Sequence, residues 1–307
     1  MSGQLSKNFI KESMDRGVEW LWSARSRDFG WGDHSDRPVD LSGCSESMFG
    51  MLKAGVDPSS EKFKQSLSYV KSELRKSPDV SHPRSEQLKS ARNLAWPILM
   101  LGEVGEKFES DLIQGLLAEL DRFCVSGEGW SADVGGRSNV YDTSLVILGL
   151  SRWKGANKLI ADPLRWIAGA QNADGGFGFK KGENSNVICT SLATMVMKGH
   201  DEAAEKIRKA VNWLTRSQKS DGSWDVEFEP NPNYRYGHWI HYSAPYAVLA
   251  LINAGFPLNS PEVTRGVNAI LARQHESGGW KILDDYPPFT HATAHALVAL
   301  GEIYRGL

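Results

Sequence analysis

The sequence is short of cysteine, of net charge and of long apolar runs, and each shortage excludes something. Its three cysteines, Cys44, Cys124 and Cys189, are odd in number and far apart. That argues against a disulfide framework and predicts a reduced, cytoplasmic setting. Lys and Arg number 35 against 37 Asp and Glu, a formal charge of −2. No electrostatic footprint for nucleic acid exists at that balance. No apolar stretch reaches the roughly 18 residues that a membrane span needs. The opening residues, MSGQLSKNFIKES, are polar and lack the apolar heart of a signal peptide.

What the sequence does have is tryptophan, 11 of them, and an internal repeat. RKAVNWLTRSQKSDGSW ends at Trp224, DPLRWIAGAQNADGGFGF begins at Asp162, TRGVNAILARQHESGGW begins at Thr264 and RGVEWLWSARSRDFGW begins at Arg16. In each, an apolar helix leads to Gln171, Gln218, Gln274 or, degenerately, Arg25, and an aromatic follows six residues later: Phe177, Trp224, Trp280 or Trp31. A weaker copy, SGEGW, ends at Trp130. Periods of 20 to 50 residues, in round terms about the length of a helical hairpin, mark repeat architectures. A second series interleaves with the first. SNVYDTSLVILGL from Ser138 matches SNVICTSLATMVM from Ser185, and similar apolar segments start at Cys44, Ala91, His241 and His291. These six are apolar nearly all round, as buried helices are. The segments between them carry one apolar stripe and one charged face, as amphipathic outer helices do.

Six hairpins of one outer and one inner helix are therefore predicted. The expected fold class is all-α, an (α/α)6 toroid or barrel over 1–307 in a single domain. An open stack would need polar caps at its ends. The first and last hairpins instead match the middle ones, which favours closure. In the repeated turn, Gln218 can bond backbone groups at a helix end, and Trp224 can pack on the neighbouring hairpin. That reads as a staple between repeats rather than as chemistry.

The turn pattern Lys209, Ala210, Trp213, Leu214, Gln218, Gly222, Trp224 resembles the QW motif of class II terpene cyclases, such as squalene–hopene and oxidosqualene cyclases. Arg265, Gly266, Ile270, Gln274, Gly278 and Trp280 repeat it, with Ala269 in place of the aromatic. The resemblance implies an α/α toroid, shared with the β subunits of protein prenyltransferases, and an isoprenoid ligand.

The resemblance also names what to look for. The cyclases carry Asp-x-Asp-Asp-Thr at the start of one inner helix, with the middle Asp as acid. Here the stretch is Asn139-Val140-Tyr141-Asp142-Thr143, so Tyr141 replaces that acid. A phenol with pKa near 10 is far too weak to protonate an alkene. Asp142 is then either a displaced acid, its proton held by burial, or the cap of its helix. His241, His291 and Asp285, the last paired with Asp284, are further acid–base candidates. The prenyltransferases hold zinc with an Asp-x-Cys and a His. Cys44 and Cys189 take the Cys-like place, but Ser42 and Val187 stand where Asp is needed, and zinc is the less favoured cofactor. An irregular metal site from Asp142, Cys189, His241 and His291 stays open.

Aromatic residues expected in a central funnel are Trp96, Tyr141, Tyr246 and His295, together with Tyr234, Tyr236, His238, Trp239 and Tyr242 of the longest loop. Such faces suit an isoprenoid chain and attract carbocations. The inner helices run parallel, so their positive ends share one rim, and Arg92 stands there. With a diphosphate substrate, Mg2+ would bridge it to the loop carboxylates. The expectation is an isoprenoid-handling, cyclase-like enzyme acting on a prenyl chain or diphosphate. The alternatives are a noncatalytic toroid binding a lipid or a protein partner, and a prenyltransferase-like subunit.

Overall fold

Side chains satisfy the loose N-terminal ends of half of the helices. Asp40 accepts from the backbone N–H groups of Ser42 and Gly43 at 3.3 and 2.9 Å and starts α2, Leu41–Lys53. Asn139 accepts from Asp142 N–H at 2.8 Å and Asn186 from Cys189 N–H at 2.9 Å. These two caps open α6, Val140–Leu150, and α8, Val187–Met197, so the Ser-Asn-Val repeat is a repeated N-cap. The remaining helices are α1 Lys7–Ala24, α3 Glu61–Arg75, α4 Ala91–Glu103, α5 Asp111–Asp121, α7 Asn157–Gly169, α9 Ala204–Ser217, α10 Ala244–Asn253, α11 Pro261–Ala272 and α12 Thr290–Gly306. The structure, a computed structural model, describes residues 5–32, 38–76, 88–200, 203–224, 243–282 and 287–307. Among these, the sheet content is one two-stranded ribbon, Cys124–Val125 against Gly129–Trp130.

Odd-numbered helices lie outside and even-numbered ones inside. Going round, α2 packs on α4, α4 on α6, α6 on α8, α8 on α10, α10 on α12, and α12 back on α2. The inner ring is closed, as an all-α toroid requires. Its helices are apolar on most sides because they touch two inner neighbours, one outer helix and the lumen.

The repeated turn makes the ring rigid. Gln218 Nε2 donates to its own turn at Gly222 O, 3.1 Å, and to Glu262 O at the start of the next outer helix, 2.9 Å. Gln171 does the same to Gly175 and Lys206, and Gln274 to Gly278 and, across the closure, to Ser13. At the degenerate position, Arg25 Nη1 reaches Lys62 O at 3.0 Å, so a guanidinium takes over the amide's task. The indoles are equally regular: Trp31, Trp224 and Trp280 each donate Nε1–H to the carbonyl ten residues earlier, on Leu21, Leu214 and Ile270, at 2.7, 2.7 and 2.8 Å. The backbone N–H of Trp130, Phe177 and Trp280 donates to Thr143, Thr190 and Thr293, at 2.9 Å each, and that of Trp31 to Cys44 Sγ at 3.1 Å. Cys44 therefore stands where three other repeats have Thr.

Closure depends on a small residue facing a large one. Gly278 has φ +101°, and a Cβ there would lie 2.5 Å from Arg16 O. A Cβ on Gly17 would lie 2.6 Å from the Trp280 ring. Gly17→Val should therefore cost about 1–3 kcal/mol by overpacking, read as a lower denaturation midpoint. An unchanged midpoint would mean that the first and last hairpins are not held this way.

Candidate functional site

Residues one turn apart on an inner helix share its lumen face. Ser42, Glu46, Phe49 and Lys53 fall on one such line in α2, and Arg92, Trp96 and Leu99 on the matching line in α4. In α6 the line is Tyr141, Leu145, Leu148, and in α12 it is His291, His295, Val298. The inner ring thus presents its side chains to the lumen in layers.

The lower layers enclose a cavity of about 450 Å3. Its wall is apolar: Phe49, Leu99, Leu145, Leu192, Leu249 and Val298 among others. Its floor is Trp96, Tyr246 and His295. It extends to the rim formed by the C-terminal ends of the inner helices, where Lys53, Arg152, Lys198 and Glu302 line it. The helix dipoles favoured an anion at the opposite rim. Here the cations at the mouth instead offset the negative C-terminal ends. Lys53 is held by Glu103 at 2.5 Å, and Arg152 approaches the same carboxylate at 3.5 Å.

Trp96, Tyr246 and His295 come together. The Trp96 and His295 rings stack with centroids 5.3 Å apart, and Tyr246 meets His295 edge-on at 5.0 Å. The Tyr246 hydroxyl lies 3.3 Å from His295 Nε2. Glu46 Oε2 lies 3.2 Å from the same nitrogen, and its Oε1 accepts from the Ser42 hydroxyl at 3.3 Å. The sequence reading missed Glu46. Its signal was present: in a helix of small and apolar residues, Glu46 is a carboxylate one turn after Ser42, on the lumen line.

Above the floor, Tyr141, Asp142 and Arg92 form a second group. Asp142 is fully buried, yet it is not the cap of its own helix, which is Asn139. It reaches across to α4, where Oδ1 accepts from Arg92 N–H at 3.0 Å and lies 3.4 Å from Arg92 Nε. Its Oδ2 has no hydrogen-bond partner among the described residues. Burial pushes the Asp142 carboxyl above the usual range, and the Arg92 charge opposes this only in part. The Tyr141 ring stacks on Phe179 at 6.3 Å under the Arg92 guanidinium, 5.7 Å away. Burial pushes its phenol further above 10, which removes it as an acid. Neither Tyr141 nor Asp142 lines the cavity wall, but Leu145, three residues beyond Asp142, does.

His291 lies beside Phe289, 5.4 Å between centroids, and 6.5 Å from His295. Cys189 is buried beside Asp142, with its thiol pushed up to about 12 chiefly by burial. Cys44 is not its counterpart, being the Thr-like partner of Trp31. Among the described residues, no three His, Cys, Asp or Glu side chains gather as metal ligands would. His241, Asp285, Tyr234, Tyr236, His238, Trp239 and Tyr242 lie outside the described residues. No helix among the described residues is long and apolar enough to cross a membrane.

Residues 182–290 match the squalene–hopene cyclase C-terminal domain family. No curated protein matches the chain by sequence. Among solved structures, the type II terpene cyclase MstE from Scytonema superposes with a TM-score of 0.72 at 13% identity, over 99% of this chain and 100% of that one. A variant of MstE was solved with its substrate, geranylgeranyl dihydroxybenzoate, and superposes at 0.70 with 13% identity over 98% and 99% of the two chains. The ent-copalyl diphosphate synthase from Streptomyces platensis gives 0.58 at 15% identity over 87% of this chain and 50% of that one. An α-1,6-mannanase from Salegentibacter gives 0.68 at 9% identity over 97% and 100%. The fold is a class II terpene cyclase-like toroid. At these identities the likeness is one of fold, which sugar-cleaving enzymes share.

Proposed function

We propose that this protein is an isoprenoid-handling enzyme of the class II cyclase type, which takes a prenyl chain into the barrel cavity and starts its reaction with a proton from Asp142. The observation that carries this reading is the cavity itself: an apolar wall over a floor of Trp96, Tyr246 and His295. Stacked rings bind an alkene chain through apolar area and stabilise a cation formed along it. Its volume of about 450 Å3 suits one small-molecule ligand. The cations at the mouth suit a head group carrying a phosphate or carboxylate.

Asp142 supports the acid role in three ways. Burial raises its pKa and so favours the protonated form that a donor needs. Its Oδ2 is not engaged by another described side chain. The carboxylate left after donation would meet the Arg92 guanidinium and N–H, which lowers the energy of that state. A glycosidase would instead need two facing carboxyl groups, roughly 5 to 10 Å apart. Glu302 is the lone carboxylate among the described lining residues. The second reading, a lipid-binding toroid without turnover, draws on Tyr141 in the place of the family's acid.

Native mass spectrometry with geranylgeranyl diphosphate, squalene and α-1,6-mannotriose tests the proposal. One prenyl chain should bind per protein, and Trp96→Ala should weaken it by at least about tenfold through lost stacking. Preference for the sugar, or no prenyl binding, would sink it. Prenyl binding without any product would favour the second reading.

A further inference from the structure

The mouth of the cavity carries more charge than an apolar guest needs. Lys53, Arg152, Lys198 and Glu302 line it, next to Phe49. Some of these groups are already engaged. Lys53 is held by Glu103 at 2.5 Å, and only 11% of its side chain is exposed, so that pair is closed to a third member. Glu302 is held by Arg305 Nη2 at 2.7 Å, while Arg305 Nη1 donates to Lys53 O at the end of α2, also at 2.7 Å. Two cations remain. Arg152 stands 3.5 Å from Glu103, with its guanidinium 6.0 Å from the centre of the Phe49 ring. Lys198, the C-cap of α8, is exposed and has no ion-pair partner among the described residues. Arg152 follows α6 and Lys198 follows α8, two inner helices that pack together. Asn253, at the end of α10 and next round the ring, lines the mouth as well. Its Oδ1 is buried without a hydrogen-bond partner among the described residues. Turned over, the same amide presents two N–H donors.

Charge decides what can sit among these groups. The inner helices end here, and their carbonyl ends are negative. Glu103 also takes part of the Arg152 charge. What is left balances one negative charge and little more. A carboxylate fits, because the guanidinium fork and the ammonium can share its two oxygens. A diphosphate brings several charges into a mouth that already holds Glu103 and Glu302. Among the described residues, no cluster of His, Cys, Asp or Glu would hold a divalent ion to neutralise it. An uncharged end gains little from either cation.

We propose that the mouth is a head-group site for one carboxylate, held by Arg152 and Lys198, which selects a prenyl chain ending in a carboxylic acid over the same chain ending in a diphosphate or an alcohol. This rests on the reading of the cavity as a prenyl-chain site and narrows it. The placement agrees end to end. Asp142 lies near the start of α6 and Arg152 just past its end, ten residues on, or about 15 Å along the axis at 1.5 Å per residue. A chain held by its head at the mouth points its hydrocarbon end at Trp96 and His295 and, beyond them, toward Asp142.

Isothermal titration calorimetry of the full chain tests this with three ligands that share one chain: geranylgeranoic acid, geranylgeraniol and geranylgeranyl diphosphate, the last with and without Mg2+. The acid should bind at least about fivefold tighter than the alcohol, the gain of one charge-assisted hydrogen bond at a partly exposed rim. It should also bind tighter than the diphosphate in either buffer. Arg152→Gln and Lys198→Gln, made together, alter side chains at the surface, so the variant should fold, as circular dichroism checks. In it the acid should fall to the level of the alcohol, whose own affinity should not change. In the parent, an alcohol as tight as the acid, or a diphosphate tighter than both, overturns the head-group site and leaves the prenyl cavity standing. An acid preference that survives in the double variant does the same. If none of the three chains binds, the prenyl reading itself fails, and this inference with it.

Discussion

Replacing Asp142 by Asn should reduce turnover of a prenyl chain by at least about a hundredfold, as loss of a positioned acid does, without unfolding the ring. The reason is geometric. The amide oxygen of Asn can still accept from Arg92 N–H, now 3.0 Å from Oδ1, so the link between α4 and α6 survives. What is lost is the transferable proton. The pH dependence should follow. Burial raises the carboxyl's pKa, so the protonated, active form disappears as pH rises through that raised value. The effect on stability has the same sign. The folded protein holds this proton more tightly than the unfolded chain, so the carboxyl's contribution is fully present below its ordinary value of 3.8 and is lost as pH climbs toward the raised one. The Asn variant should therefore gain thermal stability relative to the parent as pH rises above the carboxyl's ordinary value of 3.8. Thermal scans at several pH values check this, and a parent that gains relative to the variant would refute it. Unchanged turnover in Asp142→Asn would remove the acid and leave the cavity as a binding site.

Trp280→Ala should destabilise the protein by about 3–5 kcal/mol, the range for truncating a large buried aromatic. Trp280 is fully buried, donates Nε1–H to Ile270 O at 2.8 Å and accepts the chain's return beside Gly17. Its backbone N–H also holds Thr293 of the last inner helix at 2.9 Å, so the cavity left would adjoin the seam between the first and last hairpins. Chemical denaturation gives the loss directly. Combining Trp280→Ala with Gly17→Val should cost less than the sum of the two, because each change relieves the other's misfit and contacting residues do not act additively. A strictly additive double variant would show that the two residues do not meet in solution.

Much of this architecture is written in the chain. The pairing of Gln with an aromatic six residues on was legible as a staple because it needs only local spacing. The aromatic rings of α4, α10 and α12 were legible as lumen residues because helical periodicity places them there. Other features depend on distance in space. Asp142 and Asn139 are both good caps three residues apart, and only the approach of α4 shows that Asn139 caps its own helix while Asp142 serves its neighbour. Cys44 and Cys189 look alike in sequence but differ by one register position, and a single residue turns a helix face by about a hundred degrees. Glu46 could be read as a lumen residue, but its partner sits on α12, far along the chain and adjacent only because the ring closes. The cavity reaches the C-terminal rim, while bulky Tyr141, Phe179 and Arg92 gather in the upper layer, an arrangement that helix dipoles alone do not reveal.

A linear stack of hairpins unravels from its outermost units, which have one neighbour instead of two. Here α12 lies on α2 and Gln274 grips Ser13, so every inner helix is flanked on both sides. No hairpin is left to fray first. Amide exchange in the even-numbered helices should then proceed through one shared global opening rather than in a graded sequence from a margin inward. The backbone of the inner ring would stay protected from exchange until the whole hoop gives way.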